Sequence, residues 1–182
     1  MQVEIWSDIM CPFCYIGKRR FEKAMATFEG SADIEVIWKS YQLDPNQEDV
    51  PGKSINQYLA ERKGWTVDYA REMNKYVTDM AAGEGLGYDM DRAVVANSFN
   101  AHRIIQMAKA IGKGDLAEET FFKAYFTEGK NINDTSVLIE IGLSLGLTQL
   151  DIEAMLDSGL YVNEVQADAH EAAALGARGV PF

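Results

Sequence analysis

The two cysteines of this 182-residue chain, Cys11 and Cys14, lie three residues apart in the sequence Cys11-Pro12-Phe13-Cys14. Pro12 predicts the first residue of a helix, because its missing N–H would have no partner at that position. Cys11 then lies at the helix N-cap and Cys14 one turn further, on the same face and close enough to form a disulfide. The free N–H groups and the positive end of the helix favour a thiolate at Cys11. The spacing therefore predicts that the pKa of Cys11 is lower than that of a free thiol.

This pattern predicts dithiol chemistry in which the two cysteines have different roles. Cys11 is expected to attack a disulfide, and Cys14 to resolve the mixed disulfide that forms. A disulfide between residues so close in sequence closes almost no loop, so its purpose is chemistry more than stability. Half of a zinc site is the alternative, but zinc takes four ligands and the only histidines are His102 and His170. We therefore expect redox chemistry and no bound metal.

The motif lies between a predicted strand and a predicted helix. Val3–Trp6 has the β-branched and aromatic residues of a short strand. Apolar residues then recur at three- and four-residue steps from Pro12 until Gly30 stops the pattern. Ile34–Trp38 predicts a second strand, parallel to the first and reached by a right-handed crossover.

The middle of the chain has a different pattern, with helical periodicity and no convincing strand. The last six residues lose this pattern, and Val180 and Pro181 predict the start of another strand. We therefore predict an α/β fold in which a helical domain, residues 46–176, is inserted into a unit made of residues 1–45 and 177–182. The predicted helices are Ser54–Lys63, Val67–Ala82, Arg92–Ile111, Leu116–Phe126, Ser136–Leu145, Leu150–Leu156 and Val162–Leu175.

Composition and charge exclude several classes of partner. The chain has 28 acidic and 17 basic residues and a formal net charge of -11, which repels phosphate backbones and anionic lipid. No run of about 18 apolar residues is present that could span a bilayer. The N-terminal residues lack a basic start and an apolar run of signal length. We therefore expect a cytoplasmic protein with no nucleic-acid or membrane partner.

The segment Trp6-Ser-Asp-Ile-Met-Cys-Pro-Phe-Cys-Tyr-Ile-Gly-Lys-Arg-Arg20 resembles the DsbA-like family of thioredoxin-superfamily thiol oxidoreductases. It is most similar to the cytosolic, FrnE-type branch. Ala101–Ile105, Phe122–Asn131 and Gly179–Phe182 are also similar to that branch, so the resemblance covers essentially the whole chain. It implies a thioredoxin-like fold with a large all-helical insertion and a disulfide oxidoreductase with a Cys-x-x-Cys redox-active centre. The redox-active disulfide then does the chemistry without a separate cofactor.

The resemblance also implies a role for the last residues of the sequence. Pro181 is expected to be a cis-proline that faces the two cysteines, and the backbone of Val180 to pair with a bound peptide. Together with Pro12 and Phe13, these residues are the expected substrate-binding site. In the family the chain continues with two antiparallel strands and a closing helix, so we expect those elements to be missing after Phe182. The expected partner is a protein or small molecule that carries a disulfide or thiol, and relatives are monomers or homodimers.

Two basic residues, His102 and Lys39, are candidates for tuning the cysteine pair. His102 shares its predicted helix face with Val95 and Phe99. It is either a core histidine or a group that faces the cysteine pocket and stabilises the thiolate or takes a proton. Lys39 follows the second predicted strand, where a cation beneath the active helix would stabilise the thiolate. The alternative is a solvated lysine at a strand end. Lys18, on the first helix, is expected on a solvated face.

Four apolar residues cluster around the motif in sequence: Trp6, Met10, Phe13 and Tyr15. They either form an apolar rim for a peptide or a small aromatic thiol, or belong to the core.

Two other functions remain open at this point. Glutathione-dependent isomerases of the 2-hydroxychromene-2-carboxylate type and kappa-class glutathione transferases are related to this branch. They generally carry Ser where Cys11 stands and lack the second cysteine, so both cysteines favour redox chemistry here. Glutathione is still a candidate co-substrate, because the pocket is shared. The third hypothesis is a non-catalytic, chaperone-like or zinc-binding module, which predicts that replacing Cys11 has no effect on function.

Overall fold

The computed structural model describes residues 1–50 and 52–182. It begins with a parallel pair of strands, β1 (Gln2–Ser7) and β2 (Glu35–Ser40), in a register that runs from Gln2 opposite Glu35 to Ser7 opposite Ser40. Helix α1 (Pro12–Thr27) and a short 3-10 turn (Ser31–Asp33) connect the two strands. The predicted strand–helix–strand unit is therefore confirmed, with strand ends that differ by up to two residues.

Seven further α-helices follow β2 in the described part of the chain. Most begin at residues that favour helix starts, and the side chains of Ser54, Thr66, Asp134 and Thr148 accept hydrogen bonds from the backbone of the first turn. All but one begin and end within two residues of the predicted positions. They are α2 (Ile55–Lys63), α3 (Val67–Gly83), α4 (Phe99–Lys109), α5 (Gly114–Phe126), α6 (Thr135–Ser144), α7 (Gln149–Leu156) and α8 (Val162–Ala174).

Helix α4 begins at Phe99, and the predicted start at Arg92 is wrong. The residues before it bind the loop that follows β2 instead. The Val95 carbonyl accepts a hydrogen bond from the Val50 amide at 3.2 Å. The side chain of Asn97 donates to the Gln47 carbonyl at 2.8 Å and accepts from the Phe99 amide. These bonds hold residues 95–98 outside the helix and against the loop, so apolar spacing alone overestimated the length of the helix.

The helices pack against the sheet and against α1. Helices α5 and α8 contact β2, and α3 and α5 contact α1. Asp168 of α8 joins these layers, because its carboxylate accepts from the Ser40 amide at 2.8 Å and from the Gln106 side chain at 2.6 Å. Its carbonyl accepts from the Trp6 indole at 2.7 Å. Among the described residues, no helix combines the length and the apolar character needed to cross a membrane.

The end of the chain returns to β1. Both backbone groups of Trp6 pair with Phe182, at 2.9 Å and 3.2 Å. This pairing brings Val180 and Pro181 back to the start of α1, where the two cysteines lie.

Candidate active site

Cys11 lies where the turn after β1 meets α1. Its backbone is extended, at φ -89° and ψ 109°, and it is the N-cap of the helix, with Pro12 at the first helical position as predicted. Its amide donates to the Asp8 carbonyl at 2.9 Å, which closes the turn. Cys14 is one turn further into the helix. Both side chains are free thiols and are buried, but only Cys11 lines an open cavity.

The two thiols have opposite pKa shifts. A hydrogen bond from the Cys14 thiol lowers the pKa of Cys11, and the backbone amides of Cys14 and Phe13 lower it further. Burial and the negative charge of Asp8 act in the other direction. Burial strongly raises the pKa of Cys14, and its interactions with Cys11 raise it further. Of the two thiols, Cys11 is therefore the one whose surroundings favour the thiolate.

The Val180–Pro181 peptide is cis, as the resemblance implies. The Cys11 thiol donates to the Val180 carbonyl at 3.4 Å. The Pro181 ring lies over α1 at Gly17, where an added Cβ would be 3.5 Å from the ring. Val180 and Pro181 therefore lie beside Cys11, and their part in substrate binding stays a prediction.

A group of buried polar residues lies on the inner side of Cys11. The Asp8 carboxylate accepts from the amides of Met10, at 3.2 Å, and Leu43, at 2.7 Å. His102 of α4 is fully buried, with Nε2 3.5 Å from Asp8 Oδ1. Glu118 of α5 is also fully buried, and burial raises its pKa to about 7. Neither ring nitrogen of His102 and neither oxygen of Glu118 has a hydrogen-bond partner among the described residues.

The sequence did not single out Asp8 or Glu118, although both positions carry a signal. Asp8 is a charged residue between an apolar strand and the cysteine motif. Glu118 precedes Phe121 and Phe122 by three and four residues, so helical periodicity places it on their buried face. A carboxylate on an apolar helix face is an informative exception.

Lys39 does not lie beside the cysteines. It is within β2, and its amine pairs with Glu171 at 2.9 Å, Glu4 at 3.2 Å and Asp168 at 3.5 Å. Burial lowers the pKa of Lys39, and these carboxylates raise it by more, so the net shift is upward. Its charge is already balanced on the far side of the sheet, so the structure gives no support to a tuning role.

Lys18 is also placed differently from the prediction. It is 3% exposed, not solvated, and pairs with Glu22, Asp115 and Glu119. Helix α5 contacts α1 and covers this side of it, which the sequence of α1 could not show.

The predicted apolar rim divides into two pairs. Met10 and Phe13 line the cavity beside Cys11. Trp6 and Tyr15 are buried, and the Tyr15 ring stacks on Phe122 with ring centres 4.8 Å apart.

The cavity above Cys11 has a volume of about 470 Å³. The first turn of α1 forms its floor, and the α2–α3 hairpin forms much of its wall. Side chains from that hairpin, including Trp65 and Tyr76, were not predicted as site residues, because their sequence spacing gives no sign that they reach the cysteines. Tyr88 supports the floor by donating to the Pro12 carbonyl at 2.8 Å.

Among residues 1–50 and 52–182, no three His, Cys, Asp or Glu side chains converge in a way that could hold a metal ion.

Known proteins that are similar to this chain include YwbO, SCO1869 and DsbM. YwbO of Bacillus subtilis, an uncharacterised protein, is 27% identical over 180 residues, covering 93% of this chain and 78% of YwbO. The structure of SCO1869 from Streptomyces coelicolor, described as a probable DsbA oxidoreductase, is 36% identical with a TM-score of 0.94. That match covers 100% of this chain and 79% of SCO1869.

The third is DsbM of Pseudomonas aeruginosa, a cytosolic disulfide reductase, which is 19% identical with a TM-score of 0.69. The match covers 100% of this chain and 82% of DsbM, and a second DsbM structure contains GSH. At this identity the likeness shows a shared fold.

The family model for the DSBA-like thioredoxin domain matches residues 2–182, essentially the whole chain. Together with the parallel strand–helix–strand unit, the helical insertion and the cysteine pair at the start of α1, this match shows that the chain belongs to the DSBA-like thioredoxin domain family.

Proposed function

We propose that this chain is a thiol–disulfide oxidoreductase in which Cys11 is the nucleophile and Cys14 the resolving thiol. The observation that carries the proposal is the placement of two free thiols at the start of α1, with Cys11 at the N-cap and lining the open cavity and Cys14 one turn further into the helix. The opposite directions of their pKa shifts agree with these two roles. Family membership supports redox chemistry in general.

The reaction follows from the arrangement of the two sulfurs. The Cys11 thiolate attacks one sulfur of a disulfide, forms a mixed disulfide and expels the other sulfur as a thiolate. Once Cys11 is bonded, its negative charge no longer opposes ionisation of Cys14, so the pKa of Cys14 falls. The Cys14 thiolate then attacks Cys11 Sγ and releases the second thiolate of the substrate. The enzyme dithiol loses two electrons and two protons, and the substrate becomes two thiols.

His102 is proposed as a positioning residue that acts on Cys11 through Asp8. The charge of Asp8 raises the pKa of Cys11, and His102 is the basic side chain nearest to the Asp8 carboxylate, at 3.5 Å. A proton on His102 offsets that charge and so favours the Cys11 thiolate. Burial of both groups makes this interaction weakly screened.

We also propose that the protein acts in the cytoplasm. The chain uses its two cysteines in one reactive motif, with none spread out as in a disulfide scaffold. DsbM, which has the same fold, is described as cytosolic.

The first experiment measures alkylation of Cys11 against pH in the Cys14→Ser variant and the wild type. We expect the rate to rise with pH through a pKa lower than the ~8.5 of a free thiol, because the amides of α1 stabilise the thiolate. Mixed with a disulfide, Cys14→Ser should accumulate a mixed disulfide, and Cys11→Ser should form none.

A Cys11 pKa at or above the free value, with no trapped intermediate, would contradict the proposal. Isomerisation of an aromatic substrate that survives Cys14→Ser would indicate the glutathione-dependent isomerase instead.

A further inference from the structure

The cavity above Cys11 has the size of a small-molecule site. Its volume of about 470 Å³ lies within the range of about 300–1,000 Å³ typical of ligand pockets. Cys11 and Val180 both line it, so a molecule inside the cavity would lie against the nucleophile.

The walls of this cavity are almost entirely apolar. Lys63 is the one charged side chain among the described lining residues, and the amide of Asn74 already donates to Asn56 at 2.7 Å. The apolar walls include Leu43, Leu59, Met73, Val77, Met90 and Phe126. A bound molecule would therefore find one cation and few free hydrogen-bonding groups.

Large apolar side chains at the mouth of the cavity are open to solvent. Phe13 is 46% exposed, Leu43 49%, Trp65 38% and Tyr76 60%. A contiguous group of this kind around a reactive sulfur is typical of a binding surface, because exposed apolar patches are otherwise uncommon.

We propose that this site takes low-molecular-weight disulfides, or the corresponding thiols, that carry aromatic or aliphatic substituents. The inference rests on the proposed disulfide exchange and names its substrate class. Glutathione disulfide fits the site poorly, because it carries four carboxylates and two ammonium groups, and charged groups buried without partners are costly. Lys63 offers a partner for a single carboxylate.

The exchange on such a substrate is balanced within the site. The Cys11 thiolate forms a bond to one sulfur of the disulfide RS–SR, and the S–S bond breaks to expel the first RS⁻, which becomes RSH by taking up the proton that Cys11 released on ionising. Cys14 then bonds to Cys11 Sγ and expels the second RS⁻, which takes the proton of Cys14. A dithiol such as dithiothreitol returns the two electrons and two protons to the enzyme.

The experiment compares single turnovers of the reduced protein with three disulfides: bis(2-phenylethyl) disulfide, bis(2-hydroxyethyl) disulfide and glutathione disulfide. Oxidation of the Cys11–Cys14 pair is followed by acid quenching and mass spectrometry. Each rate constant is divided by that of the same disulfide with dithiothreitol, which removes differences in intrinsic reactivity. We expect the phenylethyl compound to react about tenfold or more faster than the other two on this scale, because burial of apolar groups favours it.

Trp65→Ala tests whether the cavity causes this preference. The ratio of phenylethyl to hydroxyethyl rates should fall at least fivefold, because the indole covers the mouth of the cavity. Phe28→Ala is the matched control, since Phe28 is a 53% exposed aromatic residue outside the cavity, and it should leave the ratio unchanged.

Equal or faster reaction with glutathione disulfide would overturn the substrate class, as would an unchanged ratio in Trp65→Ala. Faster reaction of an unfolded protein disulfide on the same scale would also overturn it and indicate a polypeptide substrate. The alkylation profile and the trapped mixed disulfide test the exchange chemistry separately, so a failure of the substrate class alone can be recognised.

Discussion

The two sides of Cys11 are built from opposite kinds of residue. The outer side is a cavity with apolar walls, partly open to solvent at Phe13 and Trp65. The inner side holds Asp8, His102 and Glu118, all nearly or fully buried. An apolar wall selects the molecule that reaches the sulfur but hardly changes its charge state. Buried ionisable groups act on the charge state of the sulfur from a place that no substrate contacts.

Removal of the Asp8 carboxylate, on the inner side of Cys11, is expected to have the largest effect, which is a loss of stability. In Asp8→Ala the amides of Met10 and Leu43 lose their acceptor, and both lie in loops that shape the site. We expect the free energy of unfolding to fall by about 3 kcal/mol, because two amides lose a charged acceptor in a partly buried site. Urea unfolding measures the loss. Asp8→Asn keeps an acceptor, so a similar loss in both variants would mean that the charge matters more than the hydrogen bonds.

Glu118 provides the next largest effect, through pH. Its pKa is raised from the ordinary 4.5 to about 7, so between these values the folded state holds a proton that the unfolded chain has released. The free energy of unfolding therefore falls as pH rises through this window and stays lower above it. The loss at pH 8 amounts to at most about 3 kcal/mol.

Glu118→Gln should remove this loss, because the amide does not ionise. Urea unfolding at pH 5 and pH 8 should show the variant gaining stability over the wild type at pH 8 only. Glu164→Gln, on an exposed part of α8, is the control and should follow the wild type at both values. A variant less stable than the wild type at pH 8 would show that the Glu118 carboxylate is needed in its charged form.

The smallest expected effect distinguishes the two tuning candidates. His102→Gln should raise the pKa of Cys11 by a fraction of a unit, because the charge of Asp8 is then less well balanced. Lys39→Gln is the matched control, since both variants replace a basic group. Its amine pairs with Glu4, Asp168 and Glu171, so its loss should leave the alkylation profile of Cys11 unchanged. The reverse result would restore Lys39 as the tuning residue and remove His102.

Local features of the sequence were sufficient to predict most of the helices and strands and to locate the cysteine pair at the start of α1. Pro12 after Cys11 indicated the start of α1, because proline suits the first helical position, and the structure places Cys11 at the N-cap. Periodicity located the other helices, since a stripe of apolar residues is a property of the helix itself. It failed for residues 92–98, because bonds to a distant loop decided their conformation.

The sequence by itself determined where the two thiols lie relative to the first turn of α1, because their positions follow from residues 11–14 alone. Only the tertiary structure decided what surrounds them. Glu118 of α5 and Trp65, which lies between α2 and α3, reach the two sides of the site although each is more than 50 residues from the cysteines in sequence. Lys18 is buried by α5. The burial of a side chain and the charges around it depend on residues that are distant in sequence and are brought together by packing. No local sequence pattern specifies which residues those are.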